Sequence, residues 1–272
     1  MANAGRLLIL ISLLGAYYAG ALPATPQENN EQKARQLWEL AITAKGGRER
    51  LQRVDNLLIS SHAARPLDRP GFEGLGTHHE ELYVFPEKFW WWRDDRPSKF
   101  GLSAEVFDGA THWLVKEDDP ESPRRLGLTT NEKEFSVRAQ VFFLMETPWV
   151  KPVPVKARTE WLGLKRVDVV HTLANGYKVI FYLDRKTHLP VKASILSLNA
   201  DENDEEMVDL FAVFFDDYRE VQGLQMPHKV GWGSSPRHLY SFRMNVDYDE
   251  AIFAGPPKLE AGPEAWRRKA SQ

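Results

Sequence analysis

Residues 166–198 read RVDVVHTLANGYKVIFYLDRKTHLPVKASILSL, and the way their apolar positions alternate decides the fold. Asn175-Gly176 divides two β-type runs, Arg166–Leu173 and Tyr177–Asp184. An Asn-Gly pair supplies the positive-φ residues that a tight two-residue hairpin needs. Arg185–Pro190 then turns into a third run, Val191–Leu198. In the middle run Tyr177, Val179, Phe181 and Leu183 share one face, yet Ile180 and Tyr182 occupy the other. A half-solvated antiparallel sheet alternates apolar with polar residues. Here both faces are apolar, so helices, a second sheet or a ligand must cover each. Met207–Tyr218 repeats the pattern, with Leu210, Ala212 and Phe214 on one side and Phe211, Val213 and Phe215 on the other.

Working outward, short β-type runs punctuated by Pro, Gly and Asp predict strands over Leu57–His62, His78–Phe85, Lys88–Arg93, Ala104–Asp108, His112–Lys116, Val155–Leu162, Met226–Trp232 and Leu239–Val246. The spacing of Ala34, Leu37, Trp38, Ala41 and Ile42 predicts an amphipathic helix over Glu31–Lys45, stopped by Gly46-Gly47. A second helix is expected after Asn131, with Glu134 completing a capping box and Phe135, Ala139, Phe142 and Phe143 forming an aromatic stripe that ends before Pro148. Glu117–Arg125 and Asn199–Glu206 read as acidic loops.

The N-terminus bears on location. Arg6, the apolar run Leu7–Leu14 and the small-residue stretch Tyr18-Ala19-Gly20-Ala21 form the three regions of a secretory signal peptide. The apolar run is shorter than the ~20 residues of a bilayer span, although a retained anchor is the alternative. Residues 1–21 are therefore expected to be a signal peptide, with Ala24 a second cleavage position, and 22–30 a flexible mature N-terminus. One domain is expected over 31–255, and 256–272 reads as a flexible tail, Pro- and Gly-rich and then basic. The chain has no cysteine, so neither a disulfide nor a lipid-modified cysteine exists, and the core alone must hold the fold. Net charge is −3 with Lys and Arg scattered, which gives no basic surface for nucleic acid. Nine Trp signal large apolar faces.

Several segments resemble the LolA/LolB-like superfamily of outer-membrane lipoprotein-sorting and carrier proteins. They are Ala44-Lys45-Gly46-Gly47 with Leu51 and Val54, Val106-Phe107-Asp108-Gly109 before Trp113, and Tyr182-Leu183-Asp184 with Thr187 and Leu189-Pro190-Val191. Asp217–Val221 with Gly223 and Met226-Pro227, then Asn245, Asp247 and Phe253, complete the set, which spans roughly Glu31 to Phe253. The resemblance implies a mainly β, α+β domain: a strongly curved antiparallel sheet forming an incomplete β-barrel, covered by the N-terminal helix and the internal apolar helix. It also implies a hydrophobic cavity that holds acyl chains or another hydrophobic group in the periplasm. No residue here matches the arginine that latches the lid of the lipoprotein carrier.

The candidate contact residues for such a cavity are Trp90, Trp92, Phe135, Phe142, Phe143, Phe181, Phe214 and Trp232, chosen by pattern. Each has a plainer reading as core. The helix around Phe142 serves equally as a lid or as a sealed core helix. Within Trp90-Trp91-Trp92, Trp90 and Trp92 share one strand face and Trp91 takes the other. His78-His79-Glu80-Glu81 splits the same way, leaving at most two donors per side against the three protein ligands of a catalytic zinc, so the default is a solvated strand edge. Gly231-Trp232-Gly233-Ser234-Ser235 lacks the spacing of a nucleophile elbow, and no phosphate-binding or dinucleotide motif occurs. The expectation is a non-catalytic periplasmic protein, without cofactor or metal, that binds and ferries a lipid or the acyl chains of a protein. The rival expectation is an envelope interaction or sensor module whose core is filled by its own side chains and whose loops bind a protein partner.

Overall fold

The computed structural model describes residues 26–64, 76–96, 101–126, 138–197, 212–232 and 238–268, all but the side chains of 26–28, 63, 64 and 232. Helix α1 (Pro26–Lys45) begins earlier than Glu31, so part of the stretch expected to be flexible is helical. Ala34, Leu37, Trp38, Ala41 and Ile42 are its buried face, and it lies on β7 (Val153–Leu162) and β8 (Lys165–Ala174). At Gly46 φ is +126°, and a Cβ there would sit 2.4 Å from the carbonyl oxygen of Gly223. Only glycine lets the chain leave α1 at that distance from the neighbouring turn. A short helix α2 (Arg48–Leu51) follows.

The remaining strands are β1 (Asn56–Ala64), β2 (Gly76–Val84), β3 (Lys88–Asp94), β4 (Leu102–Phe107), β5 (His112–Lys116), β6 (Arg124–Leu126), β9 (Tyr177–Asp184), β10 (Pro190–Ser197), β11 (Ala212–Val221), β12 (Leu224–Trp232) and β13 (His238–Met244). Arg124 and Arg125, expected in a loop, therefore start a short edge strand. The part of the expected strand before Ala212 lies outside the described residues.

Among the described residues all thirteen strands join one antiparallel sheet in the order β6-β5-β4-β3-β2-β1-β13-β12-β11-β10-β9-β8-β7. Two meanders, β1 to β6 and β7 to β13, are thus sewn together by the first and last strands, Leu57 opposite Met244 through His62 opposite Leu239. The sheet curls but does not close, because β6 and β7 are its two edges. This is the incomplete barrel expected from the sequence.

That order has a topological consequence. The chain leaves β6 at one edge and re-enters as β7 at the other, and of the connection between them the described residues are 138–152. That part contains a π-helical turn, Gln140–Leu144, whose five residues are all buried. A helix with an aromatic stripe is expected here; its described part begins as α-helix at 138–139 and passes into the π turn, a plug in which every side chain is buried, the polar Gln140 included. Asn131, Glu134 and Phe135 lie outside the described residues.

One core fills the concave side and joins Trp38 of α1, Phe142 and Phe143 of the plug, and inward residues of strands from Phe107 on β4 to Ala157 on β7. Each fully buried large side chain contributes about 1.5–3 kcal/mol. On the convex side, Leu58, Leu82, Trp90, Trp92, Ala104 and Val106 form a second cluster with Phe253 and Trp266. Residues 256–268, expected to be flexible, pack there through a 3-10 turn at Leu259–Ala261 and a bridge from Tyr248 to Arg267. The apolar outer face of β1–β4 is what holds them. No helix among the described residues is long and apolar enough to cross a membrane.

Candidate functional site

Antiparallel register places inward side chains in rows across four strands. Tyr240 of β13, Ser61 of β1, His79 of β2 and Arg93 of β3 form one row. The next runs Phe242, Ile59, Glu81, Trp91, and the third Met244, Leu57, Tyr83, Phe89. Where the plug passes beneath these rows it leaves a partly open cavity of about 280 Å³. His79, Glu81, Tyr83, Trp91 and Arg93 form one wall, Tyr240 and His238 another, and Arg138, Ala139 and Phe143 of the crossing segment the floor. The volume is at the small end of the roughly 300–1,000 Å³ of pockets that enclose drug-sized ligands.

The wall is aromatic with a polar margin. Trp91 stacks on Phe89, ring centroids 4.5 Å apart, and meets Tyr83 edge-on at 6.1 Å. The Arg93 guanidinium lies over the Trp91 ring, 4.4 Å from its centroid. Tyr83 donates its hydroxyl to Glu81 at 2.8 Å. Burial, reinforced by the Glu81 charge, pushes the Tyr83 phenol well above its ordinary range, so it remains a donor. His79 pairs with Asp95 at 2.9 Å. His78 and Glu80 face the convex side, 3.0 Å apart, and the His78 ring stacks on His62. No group of three or more His, Cys, Asp or Glu side chains able to hold a metal ion occurs among the described residues.

The plug is fastened at both ends. Gln140 donates to the carbonyl of Pro86 at 3.1 Å and accepts from Thr147 at 2.6 Å. Arg48, just past α1, donates to Glu146 at 2.7 Å through Nε and to both carboxylate oxygens of Glu39 at 2.9 Å. Arg48 thereby ties the N-terminal helix to the segment that closes the concave face.

Of the residues singled out from the sequence, Phe143 borders the cavity, its ring 6.0 Å from Tyr240 and 5.3 Å from Phe242. Phe142 is buried beside it, 6.4 Å from Phe215. Phe181 is sealed beneath α1, 5.1 Å from Trp38. Trp90 and Trp92 lie on the convex face in the cluster with Phe253 and Trp266, and Trp92 donates to the carbonyl of Leu259 at 3.4 Å. Phe214 is half-buried on that same side, under the Lys192 ammonium at 5.7 Å. Phe135 and the Trp232 side chain lie outside the described residues. The cavity thus takes the middle member of the Trp triple and the inward half of His78–Glu81. Strand alternation separates those halves in the sequence, but which half faces inward depends on the pairing of β1 with β13.

No family model matches this chain, and no curated protein matches it. Among solved structures it is similar to a DUF1329 family protein from Desulfovibrio piger, with 11% identity over 81% of this chain and 96% of that one and a TM-score of 0.42. It is similar also to a putative outer membrane lipoprotein-sorting protein domain from Vibrio parahaemolyticus, with 11% identity, 82% and 97% coverage and a TM-score of 0.39. MucB aligns at 10% identity over 82% of this chain and 62% of its own, with a TM-score of 0.24.

Proposed function

We propose that the protein is exported to the periplasm and there binds, and ferries, a hydrophobic ligand, a lipid or acyl-chain group, without catalysing a reaction on it. The observation that carries this reading is the cavity between the plug and β1–β3, walled by Trp91, Tyr240 and Phe143 and edged by charged groups. An apolar wall with a few convergent polar groups is the usual make-up of a small-molecule site. Each methylene buried there would contribute ~0.8 kcal/mol before the costs of ordering the ligand. About 280 Å³ suits one chain at a time rather than the several chains of a lipoprotein anchor.

The rival, an envelope interaction module with a filled core, draws on the other half of the concave face, where the Trp38 and Phe181 rings pack 5.1 Å apart. Native mass spectrometry of protein recovered without detergent, followed by organic extraction, separates the two. The expected result is a co-purifying lipid or acyl species at up to one per chain, lost in Phe143→Gln while the fold persists by circular dichroism. A bare protein mass, with no uptake of added lipid or hydrophobic dye, would establish the rival instead.

A further inference from the structure

We propose that the cavity selects an anionic amphiphile, a carboxylate bearing one medium-length acyl chain, and that Arg93 is its headgroup anchor. This rests on the hydrophobic-ligand reading and adds to it the charge and shape of the head.

Several arginines of this chain are paired with a nearby acid. Arg96 pairs with Asp94 at 2.7 Å, Arg219 with Asp217 at 2.6 Å, and Arg124 with Asp119 at 2.7 Å, all on exposed turns or strand ends. Arg93, half-buried at the cavity wall, forms no ion pair among the described residues, and its buried Nε has no hydrogen-bond partner. A buried donor left unsatisfied is costly, and in a native site it calls for a partner. The nearby acids are already engaged: Glu81 accepts from Tyr83, and Asp95 is held by His79.

Geometry supplies the specificity. The contact with Trp91 at 4.4 Å holds the guanidinium against the cavity wall. Arg93 lines the cavity, and a guanidinium is a two-pronged donor of the kind that matches a carboxylate bidentately. Arg138 of the crossing segment lines the cavity as well. The apolar chain then has Trp91, Phe143 and Tyr240 to lie against, and the volume limits it to one chain of modest length.

The test is isothermal titration of the full chain with decanoate, decanol and decyl phosphate, below their micelle concentrations. Decanoate is expected to bind at least tenfold more tightly than decanol. In Arg93→Gln the ratio of decanoate to decanol affinity should fall to about one; Arg93→Lys, which keeps the charge but loses the fork, should recover only part of the preference. Equal affinity for decanoate and decanol in the unmodified protein would overturn the headgroup assignment and leave the hydrophobic-ligand reading standing. Decyl phosphate binding tenfold better than decanoate would overturn the carboxylate choice. If none of the three binds, the hydrophobic-ligand reading itself fails.

Discussion

Lys45 ends α1 with its ammonium group buried. It donates to the carbonyl of Gln225, lies 3.5 Å from the Met226 sulfur, and sits 5.5 Å from the centre of the Tyr218 ring. Burial without a carboxylate pushes its pKa down from 10.5 to about 7. Between those two values the unfolded chain binds a proton that the folded chain does not, so stability rises with pH from about 7 towards 10. The gain should amount to a few kcal/mol, at about 1.4 kcal/mol per unit of difference. Above pH 10 the trend reverses, because Tyr83 and Tyr218, held protonated by burial, favour the folded state only while the unfolded phenols are also neutral. Urea melts of the unmodified protein and of Lys45→Met at pH 7, 8 and 9 check this. The variant is expected to match or exceed the parent at pH 7 and to show little slope.

At the scale of elements, the tie between α1 and the plug decides how firmly the concave face is shut. The Glu146 side chain is only 6% exposed, and Arg48 is the cation that balances it. Arg48→Ala would leave a buried carboxylate uncompensated, which costs 3–5 kcal/mol in a fully buried pair; Arg48 is itself 40% exposed, so about 2 kcal/mol is expected here. Hydrogen exchange should speed up over residues 138–150 while the middle of α1 stays protected, and Glu146→Gln in the same chain should restore part of the loss. The plug was only half legible in the sequence. Phe142 and Phe143 announced a buried segment, but periodicity reads one face of a helix and cannot describe a turn that is buried all round, Gln140 included. Its course became necessary only once β6 and β7 were known to be opposite edges. The strands were far more legible, because Asn175-Gly176 and the Asp184–Thr187 turn, where Asp184 accepts from the amides of Lys186 and Thr187, are local devices.

For the whole molecule, the sequence already showed that both faces of the sheet need cover, and it left open what supplies it. On the convex side the cover is the C-terminal stretch, whose Pro- and Gly-rich composition hides Trp266, a residue only 4% exposed. A chain ending at Gly255 would uncover Trp90 and Trp92. It should lose about 2–3 kcal/mol of stability, by the burial worth of large aromatic side chains, and should bind a hydrophobic dye in its folded state. Thermal melts with and without dye, compared with a full-length Trp266→Phe control that keeps its dye-free surface, measure both effects.

The seam between β1 and β13 gives the molecule an order of events. Within each meander, neighbours along the chain are neighbours in the sheet, so either can begin to form from nearby contacts. The seam instead joins residues 57–62 to residues 239–244. It also brings Tyr240 to the cavity opposite His79 and Arg93. Until the last strand arrives, β1 is an open edge and the cavity lacks its far wall. The cavity therefore belongs to the finished chain alone: a fragment that stops short of β13 lacks the wall that Tyr240 and His238 provide.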